Sequence, residues 1–163
     1  KIILSFIFFL IIILIFNFYN FLFLGDSGAY SIALILGFFL ISVYQFNPHI
    51  SPYFIILLLW YPCFELLFSI IRRSLKATKT YKPDNFHLHQ LIYSFVKKKL
   101  NFKNNLIIHF LTSSTINLYN LAIFLVALNS IYDSKIIIYL IIFNLVIYTS
   151  FYKIFYKFHK LKN

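Results

Sequence analysis

Residues 2–43 read IILSFIFFLIIILIFNFYNFLFLGDSGAYSIALILGFFLISV, and this stretch decides the fold. Residues 2–24 carry no charged side chain, Asp26 follows them, and a second, shorter apolar run extends over residues 29–43. Apolar runs of about 18 or more residues are typical of membrane-spanning helices. The stretch therefore predicts an integral membrane protein with a carboxylate between its first two spans.

The composition of the whole chain supports the same class. Hydrophobic residues make up 61% of the sequence and charged residues 12%, whereas a soluble domain carries about a quarter charged residues. In lipid, the hydrogen-bonding groups of the backbone are satisfied only in helices or in closed β-barrels. The apolar runs here are continuous rather than alternating, which favours helices. We therefore expect an all-α polytopic bundle. The lone Cys63 excludes an internal disulfide and does not indicate a zinc site.

Five transmembrane helices are predicted from the apolar runs, at about residues 2–24, 29–43, 52–71, 106–128 and 136–155. A long polar loop, residues 72–105, separates the third span from the fourth. Pro62 is expected to kink the third span, because proline lacks the N–H that a helix interior needs. We expect residues 1–163 to form a single integral membrane domain that is a C-terminal fragment of a larger protein.

The positive charge is concentrated at two places. Nine of the 15 Lys and Arg residues lie within residues 72–103, and four more lie within residues 153–162. Because cytoplasmic loops carry the excess of Lys and Arg, the long loop and the C-terminus are predicted to be cytoplasmic. Counting crossings then places Asp26 on the same side and the links 44–51 and 129–135 outside.

The net charge of +11 also narrows the choice of partners. A basic rim at a membrane boundary attracts anionic lipid headgroups, and it suits a phosphorylated substrate equally well. Nucleic acid is not an expected partner, since the basic residues are tied to the membrane boundary rather than to a soluble face.

The sequence Gly25-Asp26-Ser27-Gly28 lies between the first two spans. A carboxylate at such a point is costly unless it is paired or functional. The glycines allow close approach of backbone or ligand. Asp26 is therefore interpreted either as a functional acid or as an N-cap of the second helix.

Residues 82–90 of the loop read KPDNFHLHQ. A helix starting after Pro83 would place Asp84, His87 and Gln90 on one face, whereas an extended segment would place His87 and His89 together. Imidazoles beside cations suit a phosphate or diphosphate, because they donate hydrogen bonds and move protons near pH 7. A zinc site is weakly supported, because it needs three or four ligands at standard spacing.

Glu65 is an acid within the third span, so it is expected to face the bundle and find a cationic partner. Arg72 lies seven residues later on the same face. The sequence leaves open whether Glu65 forms a structural pair or orients a substrate.

Taken in order, four motifs resemble one family. They are FLGDSGA at residues 23–29, Pro62-x-x-Glu65, Arg72-Arg73 and PDNFHLH at residues 83–89. This series resembles the polyprenyl-phosphate N-acetylhexosamine-1-phosphate transferases (glycosyltransferase family 4). The similarity is to the C-terminal half of that architecture, in the branch of bacterial undecaprenyl-phosphate GlcNAc-1-phosphate transferases.

The resemblance implies an enzyme that moves a sugar-1-phosphate from a UDP-N-acetylhexosamine to undecaprenyl phosphate, releases UMP and initiates cell-envelope polysaccharide synthesis, including that of lipopolysaccharide. It implies a multi-pass protein of the bacterial cytoplasmic membrane that requires Mg²⁺, or Mn²⁺ in its place. The family pattern assigns Asp26 to the metal and to catalysis, His87 and His89 to catalysis, and five residues to substrate binding: Arg72, Arg73, Lys82, Asp84 and Gln90.

The chain also departs from the family. Gln90 stands where a third histidine is usual, and the paired aspartates of the family's earlier loop are absent from these 163 residues. We therefore expect the 163 residues to be inactive by themselves. The alternatives are a phospho-MurNAc-pentapeptide transferase, a non-catalytic membrane fragment, and a carrier that uses Asp26 and Glu65.

Overall fold

A computed structural model of the protein describes residues 2–19, 21–22, 24–75, 86–100 and 104–161. Within these ranges the structure is all-helical and contains no strand, which confirms the predicted fold class. The seven helices are α1 (Ile2–Phe18), α2 (Gly25–Phe46), α3 (Pro52–Leu58), α4 (Trp60–Leu75), α5 (Leu88–Leu100), α6 (Asn105–Leu128) and α7 (Ser134–Leu161).

Helix length sets the number of possible membrane crossings. By length and composition, α2, α6 and α7 can each span a membrane, and α3 with α4 forms a fourth span if the bent pair counts as one. Helix α1 has 17 residues. At about 1.5 Å per residue it covers roughly 26 Å, less than the roughly 30 Å of a bilayer core. The described part of the chain thus has three or four candidate spans, compared with the five expected from hydropathy.

The predicted kink in the third span is present as a break at Leu59, where α3 and α4 meet at 70°. Pro62 has no N–H to donate to the Leu58 carbonyl, and its ring crowds that carbonyl. Helix α3 therefore ends at Leu58. The helical hydrogen bonds resume with the Cys63 N–H, which donates to the Leu59 carbonyl at 3.3 Å.

The chain divides into two compact units. The first, Lys1–Asn47, holds α1 and α2, with the Phe6 and Phe39 rings in contact at 5.7 Å between centroids. The second, Pro48–Asn163, holds α3 to α7 and contains the buried core.

Helix α5 organises one end of the second unit, where it packs against α6 and α7. Leu88, Leu91 and Ile92 are buried. Their spacing of three and four residues places them on one face of the helix. The Lys97–Lys99 run is exposed, so α5 is an amphipathic helix within the stretch that the sequence presented as a polar loop.

The second unit has two distinct ends. At one end the Ser51 N–H donates to the Ile131 carbonyl at 2.9 Å, and the Ser51 and Ser134 hydroxyls are 2.9 Å apart. At the other end Tyr93 of α5 stacks on His109 near the start of α6, with centroids 4.5 Å apart, and Phe95 contacts Phe158 near the end of α7. The links predicted to share one side do meet, as do the loop and the C-terminal tail.

Candidate functional site

Asp26 lies exposed in the first turn of α2, in the first unit. The interpretation of Asp26 as an N-cap is wrong: Leu24 occupies that position, without a side-chain cap bond. Gly25 has a φ of +64°, a left-handed conformation that glycine adopts without steric cost. The positive end of the helix dipole favours a carboxylate in this turn. A metal role for Asp26 stays a prediction.

The histidine segment lies in the second unit. Phe86 and His87 precede α5, so the alternative of a helix running on from Pro83 does not hold at these two positions. The His87 and His89 rings stack with centroids 5.6 Å apart and planes at 16°, which agrees with the alternative that placed the two histidines together. Predicted contacts from Lys82 and Asp84 lie outside the described residues.

Gln90 helps to start α5. The His87 N–H donates to Gln90 Oε1 at 3.4 Å, and the Leu91 N–H donates to the His87 carbonyl at 3.0 Å. The first bond is one half of a capping box, in which the side chain at the third helical position reaches back to the N–H of the N-cap residue. The second bond is the first ordinary hydrogen bond of the helix. The Gln90 oxygen is engaged by the first bond, and its amide N–H₂ is the part with hydrogens to offer a substrate.

Glu65 of α4 joins three elements. Its Oε1 accepts from His87 Nδ1 and from the Leu88 N–H, both at 3.0 Å, and its Oε2 accepts from the Tyr148 hydroxyl at 2.7 Å. The side chain is only 13% exposed, and both oxygens are satisfied, as a carboxylate in an apolar setting requires. The sequence offered Arg72 as a partner for Glu65, and in the structure His87 takes this place.

Sequence reasoning missed Tyr148. It is buried in α7, between Phe64 and Phe68, whose ring centroids lie 5.0 and 5.4 Å from its own. With 13 tyrosines in the chain, no local pattern distinguishes this one. The available signal was indirect, because an acid inside a span needs donors from facing helices.

Arg72 lies beside the histidine segment. Its Nη2 donates to Ser69 Oγ at 3.3 Å, and its Cζ lies 5.8 Å from the ring centres of both Phe86 and Tyr152. Guanidinium groups are attracted to aromatic faces at such distances. Arg73 follows in the same last turn of α4 and is half-buried. The predicted Arg72, His87, His89 and Gln90 therefore belong to one end of the second unit.

His89 and Gln90 open onto a cleft of about 460 Å³ between α5 and α6. Small-molecule sites usually measure roughly 300–1,000 Å³. The described lining has no Asp or Glu and offers phenol, imidazole, hydroxyl and amide groups that suit an uncharged polar or anionic ligand. It includes Tyr61, Tyr93, His109 and Asn117.

The electrostatics of the site favour a neutral His89. Partial burial lowers the pKa of His89, the Glu65 charge acts in the opposite direction, and His87 lowers the pKa further. Burial disfavours the charged imidazole, and a neutral imidazole both donates and accepts hydrogen bonds.

Metal binding is a separate question. Among the described residues, no group of three or more His, Cys, Asp or Glu side chains is placed to hold a metal ion. Glu65 does not fit a metal, because three donors already occupy its oxygens. Asp26 fits better: its carboxylate is exposed, and Mg²⁺ commonly binds one or two carboxylates together with waters and phosphates.

The chain is similar to a probable undecaprenyl-phosphate N-acetylglucosaminyl 1-phosphate transferase of Bacillus subtilis (strain 168). The two are 34% identical over 88 residues, which cover 49% of this chain and 24% of the relative. The match thus spans about a quarter of the relative's length. No protein-family model matches the chain, and no solved structure matches it. The similarity covers about half of this chain and supports the relationship to the polyprenyl-phosphate N-acetylhexosamine-1-phosphate transferases that the sequence motifs indicated.

Proposed function

We propose that the protein to which this chain belongs transfers a sugar-1-phosphate, GlcNAc-1-phosphate, from a UDP-sugar to undecaprenyl phosphate and releases UMP. The observation that carries the proposal is the pair of stacked histidines at the basic end of a membrane helix bundle. His87 of this pair is bonded to Glu65, and Arg72 contacts the neighbouring Phe86 ring. The similarity to a transferase with this lipid phosphate in its name supports the same reaction.

The reaction is a phosphoryl-group exchange that needs no oxidant or reductant. An oxygen of the lipid phosphate forms a bond to the phosphorus that carries the sugar, and the bond from that phosphorus to the bridging oxygen breaks, so that UMP leaves. A phosphate monoester loses its second proton near a pKa of about 6. An imidazole is suited to take that proton from the acceptor at neutral pH.

Each site residue then has a task in the proposal. Imidazole and amide N–H groups of His89 and Gln90 donate to diphosphate oxygens, His87 takes the proton of the acceptor phosphate, and Arg72 and Arg73 add charged donors. Lys82 and Asp84 are proposed as substrate contacts because of the resemblance to the family motif alone. Asp26 would hold Mg²⁺ or Mn²⁺, which when bound neutralises charge on the diphosphate.

We further propose that the protein lies in the bacterial cytoplasmic membrane, with the histidine segment and the C-terminus facing the cytoplasm. The Lys and Arg bias of the loop and tail supports this orientation. The lipid-linked sugar would then serve as the first intermediate of a cell-envelope polysaccharide.

The test uses the full-length protein in detergent with undecaprenyl phosphate, UDP-GlcNAc and Mg²⁺, and it measures lipid-linked sugar and UMP. We expect product from the natural protein and losses of about a hundredfold or more in Asp26→Asn and His89→Gln, since positioned acid, base and charge groups contribute about that much. His49→Gln, an exposed histidine at the opposite end of the second unit, is the matched control and should retain activity.

The sugar-nucleotide substrate that the enzyme accepts distinguishes the two branches of the family. We expect UDP-GlcNAc to be used and a UDP-MurNAc-pentapeptide to be refused, because this chain has His87-Leu88-His89-Gln90 rather than the three adjacent histidines of the pentapeptide branch. Product only from the pentapeptide donor would replace the proposal by that branch. An intact full-length protein that uses neither donor would support the non-catalytic alternative.

A further inference from the structure

We propose that Glu65 and Tyr148 are positioning residues that fix the tautomer of His87, with the proton on Nδ1 and the lone pair on Nε2. The inference rests on the proposed function for its consequence in catalysis. Its structural part, the state of the His87 ring, stands on the described contacts alone.

The first step is the bond between Glu65 and His87. Glu65 Oε1 and His87 Nδ1 are 3.0 Å apart. An ionised carboxylate only accepts hydrogen bonds, so Nδ1 must carry the hydrogen. In the neutral ring the lone pair is then on Nε2, which becomes the atom that accepts a proton.

The second step is the rigidity of the carboxylate. Oε1 also accepts the Leu88 N–H at 3.0 Å, a backbone donor whose place is set by the first turn of α5. A carboxylate at the start of a helix is stabilised by the helix dipole. Glu65 therefore holds the ring relative to a helix rather than to another mobile side chain.

The third step is Tyr148. Its hydroxyl donates to Oε2 at 2.7 Å, and the side chain is only 2% exposed. A hydrogen bond to a carboxylate is about twice as strong as one between neutral groups. Because Phe64 and Phe68 pack against the Tyr148 ring, the hydroxyl has little freedom, and it fixes the rotation of the carboxylate.

The consequence concerns the proton. A buried carboxylate that holds an imidazole through Nδ1 orients the ring and stabilises the imidazolium once Nε2 has taken a proton. In the proposed reaction that proton is the one remaining on the acceptor phosphate. Among the residues that the structure describes, the other titratable or charged groups around this pair are His89, Tyr61, Tyr152 and Arg72.

Nitrogen-15 NMR of histidine-labelled protein in detergent tests the tautomer directly, with His87→Gln used to identify the signal of His87. We expect a protonated Nδ1 and an unprotonated Nε2 in the natural protein at neutral pH. Glu65→Leu removes both acceptor oxygens, and the Nδ1-protonated fraction should fall toward that of a free imidazole. A natural ring protonated on Nε2, or an unchanged ring in Glu65→Leu, would overturn the inference.

Kinetics of the full-length protein test the consequence. We expect Tyr148→Phe to lower kcat about tenfold while leaving KM for the UDP-sugar nearly unchanged, since one hydrogen bond to a charged group is lost and no substrate contact is removed. Tyr119→Phe is the matched control, because it also removes a tyrosine hydroxyl of a spanning helix that donates to a side chain, Asn144.

The two tests separate the inference from the proposed function. Equal activities of Tyr148→Phe and Tyr119→Phe would contradict the positioning role even if the enzyme is active. A full-length protein without transferase activity would contradict the proposed function, and the NMR result would still decide the tautomer of His87.

Discussion

At the scale of single residues, the lowered pKa of His89 gives the protein a pH dependence of defined sign. An unperturbed histidine titrates near a pKa of about 6.5. Below that pH the unfolded chain binds a proton at this position more readily than the folded protein, so folding stability falls as the pH falls. The folded protein should therefore lose part of its stability on acidification through His89.

His89→Gln removes this contribution. Between about pH 7.5 and pH 5.5 the variant should lose less thermal stability than the natural protein, as measured by unfolding in detergent, because glutamine does not titrate. A His89→Gln variant that is as acid-sensitive as the natural protein would contradict the argument.

The sequence could identify residues of this site but not the bonds among them. Glu65 was predictable as an acid that needs a partner, because a carboxylate inside an apolar span must be satisfied. The identity of that partner depends on how α4, α5 and α7 pack. Tyr148 lies 83 residues from Glu65, and no local pattern connects two such positions.

At the scale of elements, the bend between α3 and α4 places Glu65 on its own short helix. Pro62→Ala restores an N–H that can donate to the Leu58 carbonyl, so we expect the helix to continue through Leu59 and the 70° bend to decrease. Because Glu65 would move with α4, transferase activity of the full-length protein should fall as well.

Spin labels on cysteines at the exposed positions Tyr53 and Leu67, in a Cys63→Ser background, measure this bend. Fourteen residues of straight helix separate the two positions by about 21 Å, and the distance should lengthen toward that value in Pro62→Ala. Pro52→Ala is the control, because proline at the first helical position costs no hydrogen bond. An unchanged distance in Pro62→Ala would show that packing, not proline, sets the bend.

The positions of the long helices were predictable from apolar runs, while two features of the elements were not. Helix α5 was not predicted. Its apolar residues Leu88, Leu91 and Ile92 are followed by three lysines, so the segment resembles part of a polar loop. The sequence predicted a kink at Pro62, whereas the break lies at Leu59. The difference arises because a proline disrupts the hydrogen bond to the carbonyl four residues before it.

At the scale of the whole molecule, the acids limit what these 163 residues can do. Of the three acids that the structure describes, Glu65 is bound by three donors, and Asp133 Oδ1 accepts the Lys135 and Ile136 N–H groups at the start of α7. Asp26 is the one that offers an exposed carboxylate outside such bonds. One such carboxylate among the described acids is a poor basis for a metal-dependent phosphoryl transfer.

We therefore expect the isolated 163-residue chain to form no lipid-linked sugar under conditions in which the full-length protein does. The measurement is product formation from UDP-GlcNAc in detergent, with folding of the isolated chain verified by circular dichroism. Turnover by the isolated chain would mean that Asp26 and the histidine segment suffice.

We expect the distribution of positive charge to set the orientation of the second unit in the membrane. The exposed residues Asn129 and Lys160 lie near opposite ends of this unit, and the lysine-rich end should be cytoplasmic. In a Cys63→Ser background, a membrane-impermeant thiol reagent added to intact cells should label Asn129→Cys, and it should label Lys160→Cys only after permeabilisation. The reverse pattern would place the histidine segment outside the cell, away from the proposed nucleotide-sugar donor, and would contradict the transferase proposal at its first requirement.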